Sequence, residues 1–171
     1  MTATLRAVAT GLTGVSFGIH LGRLGLGVGT IGVVVGAGLA GGATAALLVT
    51  IAGDRFGRRR LLLAVTMLGA AGAAASAVLS GPVALAMASF VGMLNGMGRD
   101  RGAALVLEQA VLPGTAPDSE RTRSFAYYNL LQDLGHAAGS LLGGLPTLLE
   151  RTAGLGQVAS GRAMLLLISL L

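Results

Sequence analysis

The chain has 171 residues, of which 53% are hydrophobic and only 11% are charged. Soluble domains carry about 25% charged residues, so this composition excludes an ordinary water-soluble domain and predicts an integral membrane protein. The formal net charge is +5, and all 12 cationic side chains are arginines. They stand singly or in one short cluster, whereas binding to nucleic acid needs an extended basic face, so nucleic acid is not an expected partner.

Apolar runs separated by short charged segments predict six membrane spans, because one span needs roughly 20 mostly apolar residues. In chain order the predicted spans cover residues 5–22, 29–51, 61–79, 82–112, 124–149 and 161–171. The fold class is therefore all-α, a polytopic transmembrane bundle that forms a single domain over residues 1–171. The last run is too short to cross a membrane, so we expect a fragment or a half-sized protein.

The 29 glycines suit this fold, because small residues let membrane helices approach each other closely. The sequence has no Cys, and its two histidines, His20 and His136, lie far apart. No metal site of the usual kinds and no cofactor is expected from such a set. We interpret His20 as a packed residue at the outer end of the first span.

The charges between the spans predict the orientation, because Arg and Lys accumulate in cytoplasmic loops. With the N-terminus in the cytoplasm, the inner segments carry seven arginines: Arg6, Arg55, Arg58, Arg59, Arg60, Arg121 and Arg123. The outer segments carry three: Arg23, Arg151 and Arg162. The count favours a cytoplasmic N-terminus. The use of arginine without lysine suggests a GC-rich bacterial genome, and hence a bacterial plasma membrane.

A glycine pattern in the second run offers an alternative from another class. Gly36, Gly38 and Gly41 match the G-x-G-x-x-G pattern of FAD- and NAD-binding Rossmann enzymes. The surrounding sequence does not fit a nucleotide-binding site, because no acidic residue follows about 20 positions later, where recognition of the ribose needs one. The nucleotide-binding enzyme stays a less favoured alternative, and the main interpretation is that the protein is not an enzyme.

The segment Thr50-Ile-Ala-Gly-Asp-Arg-Phe-Gly-Arg-Arg-Arg60 joins the second and third spans. It resembles the signature loop of the major facilitator superfamily, G-x-x-x-D-R-x-G-R-R, with Thr50 in place of the leading glycine. The matching residues are Asp54, Arg55, Gly57, Arg58 and Arg59. Gly57 suits the tight turn that so short a link requires. The arginines suit a loop beside anionic headgroups of the lipid bilayer.

A second segment, residues 92–146, resembles the fourth span, inner loop and fifth span of the same family. Arg99 or Arg101 matches the intramembrane arginine of its fourth helix. The resemblance implies the N-terminal six-helix half of a secondary transporter that moves a small solute by alternating access. Proton-coupled efflux or antiport is a common activity in this family. It further implies a gating role for Asp54 and Arg55 against a C-terminal half that this chain lacks.

Ionisable residues inside the fourth and fifth spans point to mechanism, because charges in a bilayer are costly unless they are paired or face a cavity. The fourth span carries Arg99, Asp100, Arg101 and Glu108. The fifth carries a polar stripe at helical spacing: Asn129, Gln132, Asp133, His136 and Ser140. This set is predicted to form a charge network or a pathway for substrate and protons.

Two pairings follow from estimated depth in the membrane. Asp133 is predicted to pair with Arg99 or Arg101, and Glu108 with Arg121 or Arg123 in the inner loop. A structural role for these ion pairs is the open alternative, as is a membrane scaffold that does not transport. Tyr127 and Tyr128 are predicted to anchor the fifth span at the membrane interface.

Overall fold

The computed structural model describes residues 2–98, 102–115 and 117–171. The regular structure in these residues is entirely helical, which confirms the all-α fold class. Eight α-helices follow each other: α1 (Thr2–Arg23), α2 (Val28–Phe56), α3 (Arg58–Val78), α4 (Pro82–Gly92), α5 (Ala103–Val111), α6 (Arg121–Leu142), α7 (Leu145–Ala153) and α8 (Gln157–Leu170). Two 3₁₀ turns, Leu112–Thr115 and Asp118–Glu120, link α5 to α6.

Two of the described helices are long and apolar enough to cross a membrane, over Val28–Gly53 and Arg58–Val78. Only 22% of the most apolar window of each is buried inside the protein. Core helices of soluble proteins are mostly buried, whereas most of the apolar surface of these two helices is left uncovered by the described residues. Shorter apolar helices cover Pro82–Gly92, Ala103–Gly114 and Gln157–Leu170.

A single residue joins α2 to α3. Gly57 takes a φ of 86°, in the region that favours glycine, so α3 starts directly after α2 ends. The tight turn expected from the loop sequence is therefore observed.

The fourth predicted span, residues 82–112, is not one helix. Helix α4 ends at Gly92, Met93 takes a left-handed conformation, and helical structure resumes with α5 at Ala103. Two hydrogen bonds stabilise the described part of the break: Ser89 Oγ donates to the Leu94 carbonyl at 3.2 Å, and the Met97 N–H donates to Asn95 Oδ1 at 3.1 Å. The sequence carries Asn95, Arg99, Asp100 and Arg101 in this segment, and the apolar residues on both sides of it led to the prediction of one continuous span.

The fifth predicted span, residues 124–149, is also divided. Helix α6 ends at Leu142, and a turn at residues 143–144 leads into the short helix α7, which has Pro146 in its first turn. Pro at the start of a helix is favoured because its missing N–H has no intrahelical partner there. The sixth predicted span begins earlier than expected, because α8 starts at Gln157.

Glycines make the closest helix contacts. On α2, Gly38 lies against the Leu94 carbonyl and Gly41 against the Phe90 carbonyl, so a Cβ at either position would collide with backbone. Gly36 faces open space on the same helix. The nucleotide-binding alternative is wrong, because these three glycines lie inside one continuous helix and form no strand-to-helix turn.

Helix α1 contributes to the main hydrophobic core and packs chiefly against α6 and α8. Leu12, Phe17 and Leu21 are fully buried and pack against residues of α2, α3, α4 and α8. On another side, α1 meets α6 through Gly11 and Gly139, whose α-carbons leave no room for a side chain. This close approach brings polar residues of α1 and α6 near each other.

The two ends of the bundle gather the predicted inner and outer segments separately. At one end, Arg58 Nη1 donates to the Ala110 carbonyl at 2.7 Å, which ties the α2–α3 loop to the end of α5. At the other end, Arg23 Nη1 lies 2.6 Å from Glu150 Oε1 and joins α1 to α7. Arg58, from the predicted inner set, and Arg23, from the predicted outer set, therefore lie at opposite ends of the bundle.

Candidate functional site

A charged network joins α1, α5 and α6 towards the predicted inner end of the bundle. Arg6 Nη2 forms an ion pair with Glu108 Oε2. Tyr128 Oη donates to the same carboxylate oxygen at 2.7 Å, and Gln132 Nε2 donates to Tyr128 Oη at 2.6 Å. We call these four residues the inner network. They link parts of the chain that are up to 126 positions apart in sequence, since Arg6 and Gln132 are its ends.

Burial makes this network energetically sensitive. The side chains of Arg6 and Glu108 are 16% and 12% exposed, and Gln132 is 6% exposed. A buried ion pair contributes little net stability, but removal of one partner leaves an uncompensated charge and is strongly destabilising. The Gln132 Oε1 atom is buried and accepts no hydrogen bond from the described residues. The side-chain oxygen of Gln132, at the end of the network, can therefore still accept a hydrogen bond.

Helical spacing explains how α6 contributes two members. Tyr128 and Gln132 are one turn apart, so their side chains lie on the same face and point towards α1 and α5. Gly135 and Gly139 continue this face, and their lack of side chains lets α1 approach. Arg6 can therefore reach Glu108 from the first turns of α1.

The predicted pairing of Glu108 with Arg121 or Arg123 is wrong. Arg121 Nη2 pairs with Asp118 Oδ1 at 2.7 Å, and both side chains are largely exposed. The Arg123 guanidinium lies 5.5 Å from the centre of the Tyr127 ring. Both arginines lie on exposed parts of α6, whereas Glu108 faces α1 and the buried side of α6.

Two members of the inner network were missed by sequence reasoning. Arg6 was interpreted only as a topology signal and Tyr128 as an interfacial anchor. A signal for Arg6 was present, because Arg6, Thr10 and Thr13 recur at helical spacing and give α1 a polar side. The signal for Tyr128 was its position one turn from Gln132.

The polar stripe of α6 divides between two environments. Gln132 is buried in the inner network, and His136 is half-buried against α1, where its backbone carbonyl meets Gly11. Asn129 and Asp133 are exposed on the neighbouring side of the helix. Arg99, Asp100 and Arg101 lie outside the described residues, so pairing of Asp133 with one of these arginines stays a prediction.

The loop motif lies at the end of the bundle where α2 meets α3. Arg55 lies 5.9 Å from the centre of the Phe56 ring, and Arg58 contacts the end of α5. Arg59 is exposed, and the side chain of Asp54 lies outside the described part of the structure. The motif is thus anchored to the end of α5 through Arg58, while Arg55 and Arg59 are accessible at the surface.

A cavity of about 450 Å³ adjoins the inner network. Arg6 and Glu108 lie at its edge, and its wall is mainly apolar, with Thr13, Thr66 and Asn95 as further polar side chains. Small-molecule sites typically have this character, with an apolar wall and a few polar groups that orient the ligand. Within the described residues, no group of three or more His, Cys, Asp or Glu side chains is placed to hold a metal ion.

Comparison with known protein families shows to which family the chain belongs. The family model described as Major Facilitator Superfamily matches residues 1–169, which is nearly the whole chain. The chain belongs to the major facilitator superfamily. Proteins of this superfamily are membrane transporters and not enzymes, and they act on small-molecule substrates. No curated protein and no solved structure matches the chain significantly.

Membership in the major facilitator superfamily gives the inner network its context. The matched range includes the loop between α2 and α3 and all four members of the network. In a membrane transporter, buried ionisable groups beside a cavity are candidates for coupling, because a change in their charge alters which helix contacts are stable. The geometry here offers one such carboxylate, Glu108, held by donors from two other helices.

Proposed function

We propose that this chain is one half of a secondary active transporter that moves a small solute by alternating access and couples this movement to protons. The observation that carries the proposal is the inner network, in which Glu108 is held between Arg6 of α1 and Tyr128 of α6 beside a cavity. A buried carboxylate at a junction of three helices provides a group whose protonation changes the helix contacts.

The chemistry of the network supports a two-state mechanism. While Glu108 is ionised, it accepts from the Arg6 guanidinium and from the Tyr128 hydroxyl, and α1, α5 and α6 are held together. When Glu108 takes up a proton, the attraction to Arg6 is lost and the carboxyl becomes a donor itself. The buried guanidinium then loses its ion pair with Glu108, which favours a rearrangement of α1 against α5.

In this proposal, the functional transporter consists of this chain and a second six-helix half. Asp54 and Arg55 of the α2–α3 loop contact that half and stabilise the outward-open state. The exposed residues Asn129 and Asp133 of α6, with Arg99 or Arg101, face the pathway for the solute between the halves. The bilayer is a bacterial plasma membrane, and the N-terminus lies in the cytoplasm.

Orientation is tested with the two serines Ser80 and Ser119, which are exposed at opposite ends of the bundle. The chain has no Cys, so Ser80→Cys and Ser119→Cys each introduce a single reactive thiol. In spheroplasts, a membrane-impermeant maleimide is expected to label Ser80→Cys directly and Ser119→Cys only after permeabilisation. The reverse pattern would contradict a cytoplasmic N-terminus.

Transport is tested in proteoliposomes that contain a pH-sensitive dye. The protein is purified from its native membrane through a tag, so that an associated second half is retained. A panel of organic cations, organic anions and neutral solutes is added under an imposed pH gradient, and solute-dependent proton movement is recorded. The proposal expects such movement for at least one solute class, and its absence across the panel would refute transport.

Coupling through Glu108 is tested in the same vesicles with Glu108→Gln. The amide cannot take up a proton at this site, so proton movement driven by the solute is expected to be abolished while solute exchange continues. The matched control is Glu120→Gln, which changes an exposed acid in the inner loop and should behave as the wild type. Proton coupling that survives in Glu108→Gln would exclude Glu108 as the coupling group.

A further inference from the structure

A buried histidine lies at the opposite end of the bundle from the inner network. His20 is 1% exposed and lies one turn before α1 ends at Arg23. Neither of its ring nitrogens makes a hydrogen bond of good geometry to a residue that the structure describes, although the backbone of Ser76 lies close enough to interact with the ring. Buried polar side chains nearly always have a partner, so an imidazole without one calls for an explanation.

Two serines share this condition and lie in the same region. Ser16 is one turn before His20 on α1, and the His20 ring lies beside the backbone of Ser76 on α3. Both hydroxyl oxygens are buried, and neither has a hydrogen-bond partner among the described residues. We call His20, Ser16 and Ser76 the outer polar cluster. Because three buried polar side chains without a partner in the described part of the chain lie in one region, an irregularity in the packing of a single side chain does not explain them.

Helix α8 closes the outer polar cluster. Gly161 lies directly against the imidazole, and a Cβ at this position would collide with His20 Nδ1. The preceding residue, Ser160, donates to Glu150 Oε1 at 2.8 Å and accepts from Arg23 Nη1 at 3.2 Å. Helix α8 therefore packs onto α1 through direct contact between the backbone of Gly161 and the imidazole ring of His20.

The charged groups around His20 are mostly positive. Arg23 on α1 and Arg162 on α8 are close enough to disfavour a positive charge on the His20 ring. The carboxylate of Glu150 on α7 already forms an ion pair with Arg23. The described part of α3 contributes Ser76 and no charged side chain to this region. A second proton on the ring would therefore add a positive charge without a counter-charge, against a helix that leaves no space for solvent.

We propose that His20 is a proton-binding site that controls the packing of α8 against α1 and α3. With a neutral ring, α8 packs closely and the outer polar cluster is closed. With a protonated ring, the uncompensated charge is relieved when α8 moves away and water reaches His20, Ser16 and Ser76. Acidification on the side of the membrane that this end faces thus loosens this end of the bundle. The inference is independent of the transport proposal, and its test needs no substrate.

The test measures the reactivity of a thiol placed inside the cluster. Ser76→Cys is nearly isosteric and buried, while Ser80→Cys lies one turn later and is exposed. Each is reacted in proteoliposomes with 4,4′-dithiodipyridine, which modifies thiols in neutral and acidic solution. The ratio of the two rates cancels the reagent's own pH dependence. Ser16→Cys, on α1, serves as a second reporter from the facing helix.

The rate ratio of Ser76→Cys to Ser80→Cys is expected to rise at least ~10-fold between about pH 7.5 and about pH 5, because a unit of pH changes the ratio of protonated to neutral imidazole tenfold. In the His20→Gln background, the ratio should not change with pH. The chain has only one other histidine, so His136→Gln is the matched control and should retain the full rise.

Three results would overturn the proposal. The first is a flat ratio with His20 present, reported by both Ser76→Cys and Ser16→Cys. The second is an equal rise in the His20→Gln background, which assigns the pH response to another group. The third is equal reactivity of Ser76→Cys and Ser80→Cys at neutral pH, since the cluster is then already open.

Discussion

Removing one partner of the inner network should cost far more stability than removing both. Glu108→Met leaves the Arg6 guanidinium, which is 16% exposed, without its carboxylate, and we expect a loss of about 3–5 kcal/mol in the free energy of unfolding. Arg6→Met should cost less, about 2–3 kcal/mol, because Tyr128 still donates to the carboxylate. The double variant removes both charges and should lie within about 1 kcal/mol of the wild type.

The assay is a double-mutant cycle on the chain in detergent micelles, with loss of helical circular dichroism on addition of a denaturing detergent as the signal. The expected coupling energy between Arg6 and Glu108 is at least about 2 kcal/mol. The matched control is the exposed pair of Arg121 and Asp118, for which coupling should stay below about 1 kcal/mol. Additive costs for Arg6 and Glu108 would refute the buried pairing on which the proposed function rests.

Two further predictions concern glycines. Gly139→Ala places a methyl group against the backbone of Val8 and Leu12, so the α1–α6 contact must widen and unfolding should become easier by about 1–3 kcal/mol, measured by the same denaturation. Gly36→Ala faces open space on α2 and should cause no loss, so equal effects at the two positions would contradict the packing described. Gly57→Ala forces a side chain into a φ of 86° and should cost about 1–2 kcal/mol; no loss would mean that the turn adopts another conformation.

Composition and hydrophobic runs were sufficient to predict the all-α class. Backbone groups in a bilayer must be bonded within the element, so a chain this apolar has little choice but helices. The breaks in the fourth and fifth spans were not predicted, because polar residues such as Asn95 and glycines such as Gly143 also occur within continuous membrane helices. Their effect depends on whether neighbouring groups satisfy the backbone, as Ser89 does for the Leu94 carbonyl.

The candidate site was predicted only in part. Glu108 and Gln132 were expected in a charge network, and both belong to one. Their partners were not expected, because depth along a helix says how far a residue lies in the membrane but not which neighbouring helix it faces. Arg6 reaches Glu108 because glycines on α6 let α1 approach, and this is a property of helix packing.

The sequence by itself determined that this protein is a bundle of membrane helices, which end of each helix carries the arginines, and which loop carries the family's motif. These properties depend on local composition and on residues that are neighbours in the chain. The tertiary structure alone decided that Glu108 pairs with Arg6 rather than with the arginines of the inner loop, and that His20 lies closed beneath α8. Such contacts depend on the rotation and spacing of helices that are distant in sequence, and no local pattern specifies these.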